Sequence, residues 1–433
     1  MFYIIETEEQ LNVFNNHRFD EVFVHLIPLN NNKHPRISDI SLIYIKPLTS
    51  HKGYLMCINT NESFSLKLGQ VTNVLSRIDK IYVVDKKDAL YHLPFESQLF
   101  DIKLTQNVEL PFIPLIGLFY NHFPEKSDIN KLIPIPKHYE YCEMLFNSID
   151  FEIVKGMDDW YKFYNDYLIP TFYLVENQGL MADVDLLKDY FTLDDPSYSI
   201  LGNKVFSKYN LYNNTSRPSN SFNNINFGAL NKSDGCRNAF IPENDILIEM
   251  DFDSFHVRLL GDIIGYEFGD ENIHTYLGRL YFDTTELTKE QYKESKGITF
   301  KILYTSTKIE DYQHIEFFKL VKEYKEGKWK EYNKNGHIYN ILSKKPISNV
   351  KSKTQLLPYI LQNYETELNV IKMYKILRLL ADKKTKLILY NYDAIVLDFN
   401  KIDGKQLLID IQTIMEEGGY PIKVKMGDTY AFN

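Results

Sequence analysis

The stretch ILIEMDFDSFHVRLLGD, residues 246–262, constrains the fold of this chain more than any other, because its hydrophobic period changes at one point. Apolar residues alternate as far as Phe252, which is the period of a strand with one buried face. Beyond it Phe255, Leu259 and Ile263 recur every four positions, which predicts a helix. A strand that passes directly into a helix indicates a mixed α/β fold.

Two aspartates flank this change of period. Asp253, or the neighbouring Ser254, is well placed to cap the free N–H groups at the start of the helix. Asp251 ends the strand, and taken alone it is most simply a solvated carboxylate. A catalytic role for Asp251 therefore needs support from elsewhere in the sequence.

That support comes from a predicted β-hairpin, KLILYNYDAIVLDF, residues 386–399. The residues NYD join its two strands. Taken alone, Asp393 is most simply explained as a turn-forming residue. Two strand-end aspartates on adjacent strands would, however, meet at one edge of a sheet. There they can hold two divalent cations about 3.5–4 Å apart for phosphoryl transfer.

A third feature lies on the predicted helix KEQYKESKGITFKILY, residues 289–304. Tyr292, Lys296, Phe300 and Tyr304 are spaced by four and share one face of this helix. A lysine and several rings on one face suit a triphosphate with a base stacked beyond it. The alternative is an ordinary amphipathic helix whose lysine reaches out to water.

Composition excludes several classes of protein. With 433 residues, 44% apolar and 25% charged, the chain is long enough for two or three globular domains. A net charge of -9 argues against a wholly basic surface but leaves room for a local basic channel.

The three cysteines, Cys57, Cys142 and Cys236, lie too far apart in the sequence for a disulfide framework or a thiolate zinc site. Without a basic leader or a run of about 18 apolar residues, we expect no export, no membrane span and a cytoplasmic protein.

The order of elements along the chain is also predicted. The first 145 or so residues alternate short strands with turns, namely EVFVHLIPL, ISLIYIKPL and KIYVVD, before the helical stretch HYEYCEMLFNSI. Helical periodicity follows, with Gly179 as a C-cap. A Ser/Asn-rich segment, residues 210–235, has too many turn formers for a regular element and reads as a linker.

The motifs resemble those of the family A DNA polymerases, the bacterial DNA polymerase I type. DFDSFHVR, residues 251–258, is similar to the first catalytic motif of that family, DYSQIELR. Lys296, Phe300 and Tyr304 fall in register with its finger helix, RxxxKxxxFxxxYG, and YDA at 392–394 resembles its HDE motif.

Further segments resemble the family in the same order. TSRPSNSFNNIN from Thr215 is similar to TGRLSSxxPNLQ, which turns the supposed linker into a primer-template contact. ENIHTYLGRLYFDTTELTKEQ resembles DIHxxTA…TxEQ, and YILQNYETELNVIKM resembles PIQGTAADIxKxAM. VENQGLMADVDLL resembles MExxGxxVD, so the resemblance extends from about residue 165 to residue 433.

The N-terminal region resembles the proofreading exonuclease domain of that family in a decayed form. His25 and Ile27 stand where the family has its metal-binding Asp-x-Glu pair. Asp88, Tyr139 and Glu143 are similar to the remaining exonuclease motifs. Because the first pair is missing, we expect no proofreading.

The resemblance implies an α/β (α+β) fold with the palm and fingers of a right-hand polymerase, preceded by an RNase H-like exonuclease-type domain. From Asp183 to Thr215 there are 32 residues (215 minus 183), where the family has a thumb of roughly a hundred. We therefore expect low processivity, or a partner that supplies the grip. The implied domains are a degenerate exonuclease-like domain at 1–150, a reduced thumb at 151–200, palm at 201–261, fingers at 262–355 and palm again at 356–433.

The resemblance also implies a role for each site residue. Asp251 and Asp393, with the Phe252 carbonyl, would bind two Mg²⁺ ions. Lys296 would act in catalysis with His274 by neutralising the triphosphate. Residues that would pack against the sugar and the nascent pair are Phe300 and Tyr304. Residues that would contact primer-template DNA by its geometry rather than its sequence are Arg217, Asn224, Arg258, Gln362 and Tyr392.

Three positions depart from the family pattern. Tyr292 replaces the arginine that opens the finger motif, although Lys293 could supply its charge. Ala394 replaces the acidic residue after Asp393, which leaves two metal carboxylates rather than three. His256 replaces the usual glutamate that blocks a ribose 2′-hydroxyl; histidine is bulky enough to keep blocking it, but weaker discrimination between sugars is expected.

These features predict a template-directed DNA polymerase of a phage or mobile replicon, acting on primer-template DNA and dNTPs in the cytoplasm of a bacterial host. A replisome protein would replace the thumb. One alternative is a primase-like polymerase that accepts ribonucleotides, which His256 keeps open. Another is a non-catalytic DNA-binding subunit, against which the joint presence of Asp251, Lys296 and Asp393 argues.

Overall fold

The computed structural model describes residues 3–58, 66–108, 135–193, 195–221, 226–269, 271–304 and 309–432. They divide into two compact units, one containing the described residues up to Lys208 together with Ser221, the other containing the rest. The five domains named from the sequence remain a prediction. Among the described residues, no helix combines the length and the apolar character needed to cross a membrane.

The first unit is built on a six-stranded sheet with the strand order β1-β4-β3-β2-β5-β6. The strands EVFVHLIPL, ISLIYIKPL and KIYVVD are confirmed as β2, β3 and β5. β3 is buried along its whole length, because its apolar run lies in the middle of the sheet. The strand bounds are β1 Tyr3–Ile5, β2 Glu21–Pro28, β3 Ile40–Pro47, β4 Tyr54–Cys57, β5 Lys80–Val83 and β6 Leu99–Asp101.

Helices and a small sheet complete the first unit. Gly179 ends the helix before it with a φ of 63°, as the C-cap prediction required. The helices are α1 Glu8–Asn15, α2 Leu68–Leu75, α3 Lys86–Ala89, α4 Ile135–Asn147, α5 Phe151–Lys155, α6 Asp159–Phe163, α7 Ile169–Gln178 and α8 Val184–Tyr190. The small sheet contains β7 Leu180–Met181, β8 Ile200–Leu201 and β9 Lys204–Val205.

The predicted irregular segment begins at the last residue of a short strand, β10 Lys208–Asn210, and contains another, β11 Ser219–Ser221. Its other described residues form turns and a short 3₁₀ helix at Phe227–Ala229, which its turn-forming composition favours. All three cysteines of the chain are buried free thiols.

The second unit is built on an antiparallel sheet with the strand order β15-β16-β12-β17. The opening strand and the hairpin are both confirmed, and β12 lies between β16 and β17. The strands are β12 Ile246–Phe252, β13 Ile338–Tyr339, β14 Pro346–Ile347, β15 Lys386–Asn391, β16 Ala394–Phe399 and β17 Ile422–Gly427.

Six helices belong to the described part of this unit: α9 Phe255–Ile264, α10 Ile273–Phe282, α11 Lys289–Tyr304, α12 Glu316–Asn335, α13 Lys353–Leu379 and α14 Gly404–Glu416. Among them, α13 differs from an ordinary amphipathic helix, because many of its polar residues are buried. These buried polar residues are Asn363, Glu365, Thr366, Glu367, Asn369 and Lys372. Such groups are stable inside a protein only when they have partners.

Candidate active site

Asp251 and Asp393 lie at the same end of two adjacent strands. In the register of β12 and β16, Asp251 stands opposite Ala394, the residue after Asp393. The Phe252 N–H donates to the Asp393 carbonyl oxygen across 3.0 Å. The structure therefore brings together the two aspartates that the sequence placed at strand ends. Their role in catalysis remains a prediction.

The Asp251 carboxylate has no hydrogen bond or ion pair with any described residue. Lys423 stands opposite it on β17, but the Lys423 Nζ lies 2.6 Å from Asp253 Oδ1 instead. Lys425 pairs with Glu249. Desolvation by burial, followed by repulsion from Asp393 and Glu249, raises the pKa of Asp251 to about 6. A carboxylate in this position favours the approach of a cation.

The helix-cap prediction for Asp253 is wrong. Its carboxylate binds the Lys423 Nζ and, at 3.2 Å, the Asn272 Nδ2. Ser254 occupies the N-cap position of α9 with a φ of 57°, and its side chain makes no capping hydrogen bond. Asp253 was misassigned because its lysine partner lies on a strand 170 residues away in the sequence.

Asp393 follows a strained residue in the turn of the hairpin. Tyr392 has a φ of 64°, a left-handed conformation that is uncommon for a residue other than glycine. The Asn369 Nδ2 of α13 donates to the Tyr392 carbonyl across 2.9 Å and so helps to hold the turn. Desolvation by the surrounding protein, followed by Glu365, raises the pKa of Asp393, although one side of the residue stays open to water. Strain and raised carboxylate pKa values are both frequent at functional sites.

The face predicted to bind phosphate lies on α11, a helix that the structure confirms, and its role remains a prediction. His274 of α10 lies against it, with ring centroids 6.3 Å from Tyr292 and 6.2 Å from Phe300. Phe300 and Tyr304 stack at 5.9 Å. Lys296 is exposed and has no ion pair or hydrogen bond with a described residue.

This face is not the core face of α11. Tyr292 is 36% exposed and Phe300 44% exposed. The buried residues of the helix are Ser295, Thr299, Ile302 and Leu303. The alternative of an ordinary amphipathic helix therefore does not account for the exposed rings beside Lys296.

His274 is buried, and its side chain is neutral in the free protein, whereas the sequence predicted a positive charge that would help to neutralise the triphosphate. Desolvation and then the nearby Lys296 lower the pKa of His274 to about 4. At neutral pH the free protein therefore carries a neutral imidazole here. Lys296 supplies the positive charge of this face, and Lys293 lies exposed on the next turn toward the helix start.

His256 joins a buried network of polar side chains. Its Nδ1 contacts the Tyr304 hydroxyl, and its Nε2 lies 3.1 Å from Glu365 Oε2. The Arg217 Nε lies 3.1 Å from the same oxygen. Burial opposes ionisation of Glu365, but His256 and Arg217 together lower its pKa.

The predicted DNA-contacting residues lie in several places. The Arg217 guanidinium lies over the Tyr392 ring at 3.8 Å, and the Arg258 Nε donates to the Asp253 carbonyl across 3.1 Å. Gln362 is half-buried on α13. Asn224 lies outside the described residues.

Glu365 and Asn369 were not singled out from the sequence. One sequence signal was available for Glu365, because the resembled motif PIQGTAADIxKxAM has alanine at that position. A second was the density of polar residues around α13, too many for one solvated face.

The two carboxylates of the first unit that resemble exonuclease motifs, Asp88 and Glu143, are both paired with lysines. The Lys208 Nζ lies 2.5 Å from Asp88 Oδ2. Desolvation by burial raises the pKa of Asp88, but the positive charges of Lys208 and Lys87 outweigh it and lower that pKa to about 2. The Glu143 carboxylate accepts hydrogen bonds from the Tyr44 and Tyr139 hydroxyls at 2.5 and 2.6 Å, and it pairs with Lys46.

The donors near Asp251 fit a hard cation such as Mg²⁺. Carboxylate oxygens are its preferred protein ligands, and desolvation followed by neighbouring carboxylates raises the pKa of both Asp251 and Asp393. The Phe252 side chain is buried and stacks on Phe255 at 4.1 Å, so only its carbonyl is available as a ligand. Among the described residues, no group of three or more His, Cys, Asp or Glu is arranged to hold a metal ion.

Comparison with known protein families found no match to this sequence, and comparison with curated proteins found none either. Among solved structures, the POL domain of Pol1 from M. smegmatis, in complex with a DNA primer-template and dNTP, is similar with a TM-score of 0.74. The match covers 100% of this chain and 100% of that chain, at 11% sequence identity. The chain therefore has the mixed α/β fold of the polymerase domain of a DNA polymerase.

Proposed function

We propose that this protein is a template-directed DNA polymerase that adds dNMP to a primer 3′-hydroxyl by two-metal-ion phosphoryl transfer. The observation that carries the proposal is the pair Asp251 and Asp393 at one end of adjacent strands, with raised pKa values. Fold alone would not decide the activity, because one fold hosts many functions. The solved structure with a similar fold was obtained with primer-template and dNTP, which supports the same partners here.

Asp251 and Asp393, with the Phe252 carbonyl, would hold two Mg²⁺ ions. When bound, Mg²⁺ lowers the pKa of an attacking hydroxyl and stabilises charge that develops on the phosphate. Lys296 of α11 would bind the triphosphate, and neutral His274 would add a hydrogen bond rather than a charge. Phe300 and Tyr304 would pack against the sugar and base of the incoming nucleotide.

Arg217 and Tyr392 would contact the primer-template duplex beside Asp393, together with Asn224, Arg258 and Gln362. Burial disfavours the charge of Arg217, but Glu365 raises its pKa, so it stays cationic beside DNA. The predicted lack of a thumb would leave few other contacts to the duplex. We therefore propose low processivity without a replisome partner, in the cytoplasm of a phage-infected bacterium.

The polymerase would work without proofreading. In the first unit, Asp88 and Glu143 are each paired with lysine, so neither has the free negative charge that a catalytic metal requires. His25 is partly buried, and desolvation lowers its pKa to about 4. His25 and Ile27, which stand where the family has its Asp-x-Glu pair, offer no carboxylate to a metal.

A second candidate is a polymerase that also accepts ribonucleotides. The observation that favours it is His256, which bonds Tyr304 through Nδ1 where a glutamate would present a carboxylate. The imidazole ring would block a 2′-hydroxyl by its bulk, but with a shape different from that of glutamate, so rNTPs would be rejected less strongly.

The test is primer extension with Mg²⁺ on a primed template, with dNTPs and with rNTPs in parallel. We expect the wild type to extend with dNTPs, and the Asp251→Ala variant to bind the primer-template but not extend it. A wild type that incorporates neither nucleotide on any primed template would disprove the enzymatic proposal. Primer-template binding by such an inactive wild type would instead support a non-catalytic subunit.

A further inference from the structure

Glu365 is a carboxylate on the central helix α13 whose side chain is 0% exposed. A buried carboxylate is strongly destabilising unless charged or hydrogen-bonding partners surround it. Its partners are Arg217, with Nε 3.1 Å from Oε2, and His256, with Nε2 3.1 Å from the same oxygen. Both partners are polar groups assigned above to the substrate-binding surface, and neither is on α13.

These contacts join the two sides of the proposed site. On one side His256 contacts the Tyr304 hydroxyl of α11, the helix that would bind the nucleotide. On the other side Arg217 lies over the ring of Tyr392, next to Asp393. Glu365 therefore contacts both His256, on the nucleotide side of the proposed site, and Arg217, on its DNA side.

The contact with Glu365 fixes the orientation of the His256 ring. Nε2 faces Glu365 Oε2 at 3.1 Å, a close charge contact without the alignment of a hydrogen bond. A ring that turned over would lose this contact. Nδ1 is consequently held toward the hydroxyl of Tyr304, which keeps its own proton because burial and then Glu365 raise its pKa.

We propose that Glu365 is a positioning residue for sugar discrimination: it holds His256 against Tyr304, and thereby shapes the space that the sugar of the incoming nucleotide would enter. This inference rests on the proposed polymerase function. Glu365 would not touch the substrate, since it is fully buried behind His256 and Arg217.

The experiment compares kcat/KM for a dNTP with that for the matching rNTP in single-nucleotide primer extension. In Glu365→Gln, which keeps the volume but removes the charge, we expect the dNTP/rNTP ratio to fall about tenfold, because a buried charge contact to His256 is lost. A merely structural role would lower both values of kcat/KM together and leave their ratio unchanged, which would overturn the inference.

A matched control lies two residues along the same helix. Glu367 is also a buried carboxylate, but it accepts from the backbone N–H and the hydroxyl of Ser343 rather than from His256. Glu367→Gln makes the same chemical change and is expected to alter the dNTP/rNTP ratio less than about twofold. An equal fall in both variants would overturn the inference, because it would show a general effect of disturbing α13.

A double variant identifies His256 as the residue through which Glu365 acts. We expect His256→Asn to lower the ratio by itself, and Glu365→Gln with His256→Asn to lower it no further. Independent effects that multiply in the double variant would overturn the inference. If Glu365→Gln does not fold, Glu365→Asp keeps the charge and moves it by one methylene group, with an expected fall of about threefold; an unchanged ratio there would count against the inference.

A readout without catalysis separates this inference from the proposed function. The thermal midpoints of the free protein are measured for the same single and double variants. We expect the losses from Glu365→Gln and His256→Asn to be non-additive, because the residues share one contact. An inactive wild type would disprove the polymerase proposal alone, whereas additive losses would disprove the Glu365 contact alone.

Discussion

Each unit of the molecule has a sheet with carboxylates beside it, and the two sets have opposite electrostatic surroundings. In the first unit Asp88 pairs with Lys208, and Glu143 pairs with Lys46. In the second unit, Asp251 has no partner among the described residues, and Lys423 opposite it binds Asp253 instead.

The difference is visible in the direction of the pKa shifts. Lysines lower the pKa of Asp88 to about 2 against the effect of burial, whereas burial and a neighbouring Asp393 raise the pKa of Asp251 to about 6. A carboxylate that a lysine already neutralises stabilises the fold. A carboxylate that the protein leaves uncompensated destabilises it, and is available for a cation.

The largest effect is expected from removing a carboxylate of the second unit. We expect Asp251→Asn and Asp393→Asn each to lower the rate of single-nucleotide incorporation about 10³-fold or more, because several kcal/mol of charge stabilisation would be lost. The measurement is single-turnover primer extension with Mg²⁺. The matched control is Glu143→Gln of the first unit, and a comparable loss of rate in that variant would remove the contrast between the two units.

A smaller effect is expected from the exposed lysine of α11. Lys296→Ala should raise KM for dNTP about 10- to 100-fold, since one hydrogen bond to a charged group would be lost. Lys293→Ala, a change of the same kind one turn away, should raise KM by less than about threefold. Steady-state kinetics with saturating primer-template measures both. Equal effects would mean that general surface charge, rather than the face with Phe300, attracts the triphosphate.

Replacing one aspartate by asparagine should change the thermal stability in opposite directions in the two units. At pH 8 without divalent cations, we expect Asp251→Asn to raise Tm by about 2 °C, a small value because Asp251 stays partly in water. Asp88→Asn should lower Tm by about 3 °C, because Lys208 would lose its partner. Mg²⁺ should raise Tm of the wild type but not of Asp251→Asn. Calorimetry with and without Mg²⁺ tests all three, and a Tm that falls in Asp251→Asn would contradict the proposal that the Asp251 charge destabilises the free protein.

The pH dependence follows from the same shifts. Asp251 in the folded state has a pKa of about 6, above its ordinary 3.8, so the folded state binds more protons between these values. Its contribution therefore makes the protein less stable as pH rises from 3.8 to 6. Asp88 has a folded pKa of about 2, and its stabilising contribution is lost as pH falls from 3.8 toward 2. Difference Tm curves of Asp251→Asn and Asp88→Asn against the wild type should show these two windows.

The last prediction is that no degradation of a mismatched primer will be observed. Purified Asp251→Asn, which should not polymerise, should leave a mismatched 3′ primer end intact in the presence of Mg²⁺, because Asp88 and Glu143 already have lysine partners. Gel analysis of an end-labelled mismatched primer measures this. Shortening of the primer that disappears in a Asp88→Asn variant would show that the first unit retains a nuclease.

Elements with a clear period could be predicted from the sequence. The alternation before Asp251 gave β12, the two runs around Asp393 gave the hairpin, and the spacing of four gave α11. Together they placed the two aspartates at one sheet edge, because β12 runs antiparallel to β16 and therefore ends where β16 begins. The resemblance to a polymerase fold rested on these same elements.

Contacts between distant residues could not be predicted. Asp253 was predicted to cap a helix because the local sequence cannot show which lysine will bind it. Its partner, Lys423, lies on β17, 170 residues away along the chain. Glu365 looked like one more polar residue of a long helix, since burial depends on what packs around α13. The neutral state of His274 depends on its burial beside Lys296, which no spacing in the chain reveals.

The central place of β12 sets a limit on how this sequence can change. Because side chains alternate between faces along a strand, deleting one residue among 246–250 would turn Asp251 to the opposite face and bring an apolar neighbour into its place. Deleting two would restore the face but shift the carboxylate by about 6.6 Å from its position beside Asp393. Related chains should therefore exchange one apolar residue for another at the buried positions of this strand, yet keep its length from the start of β12 to Asp251 unchanged.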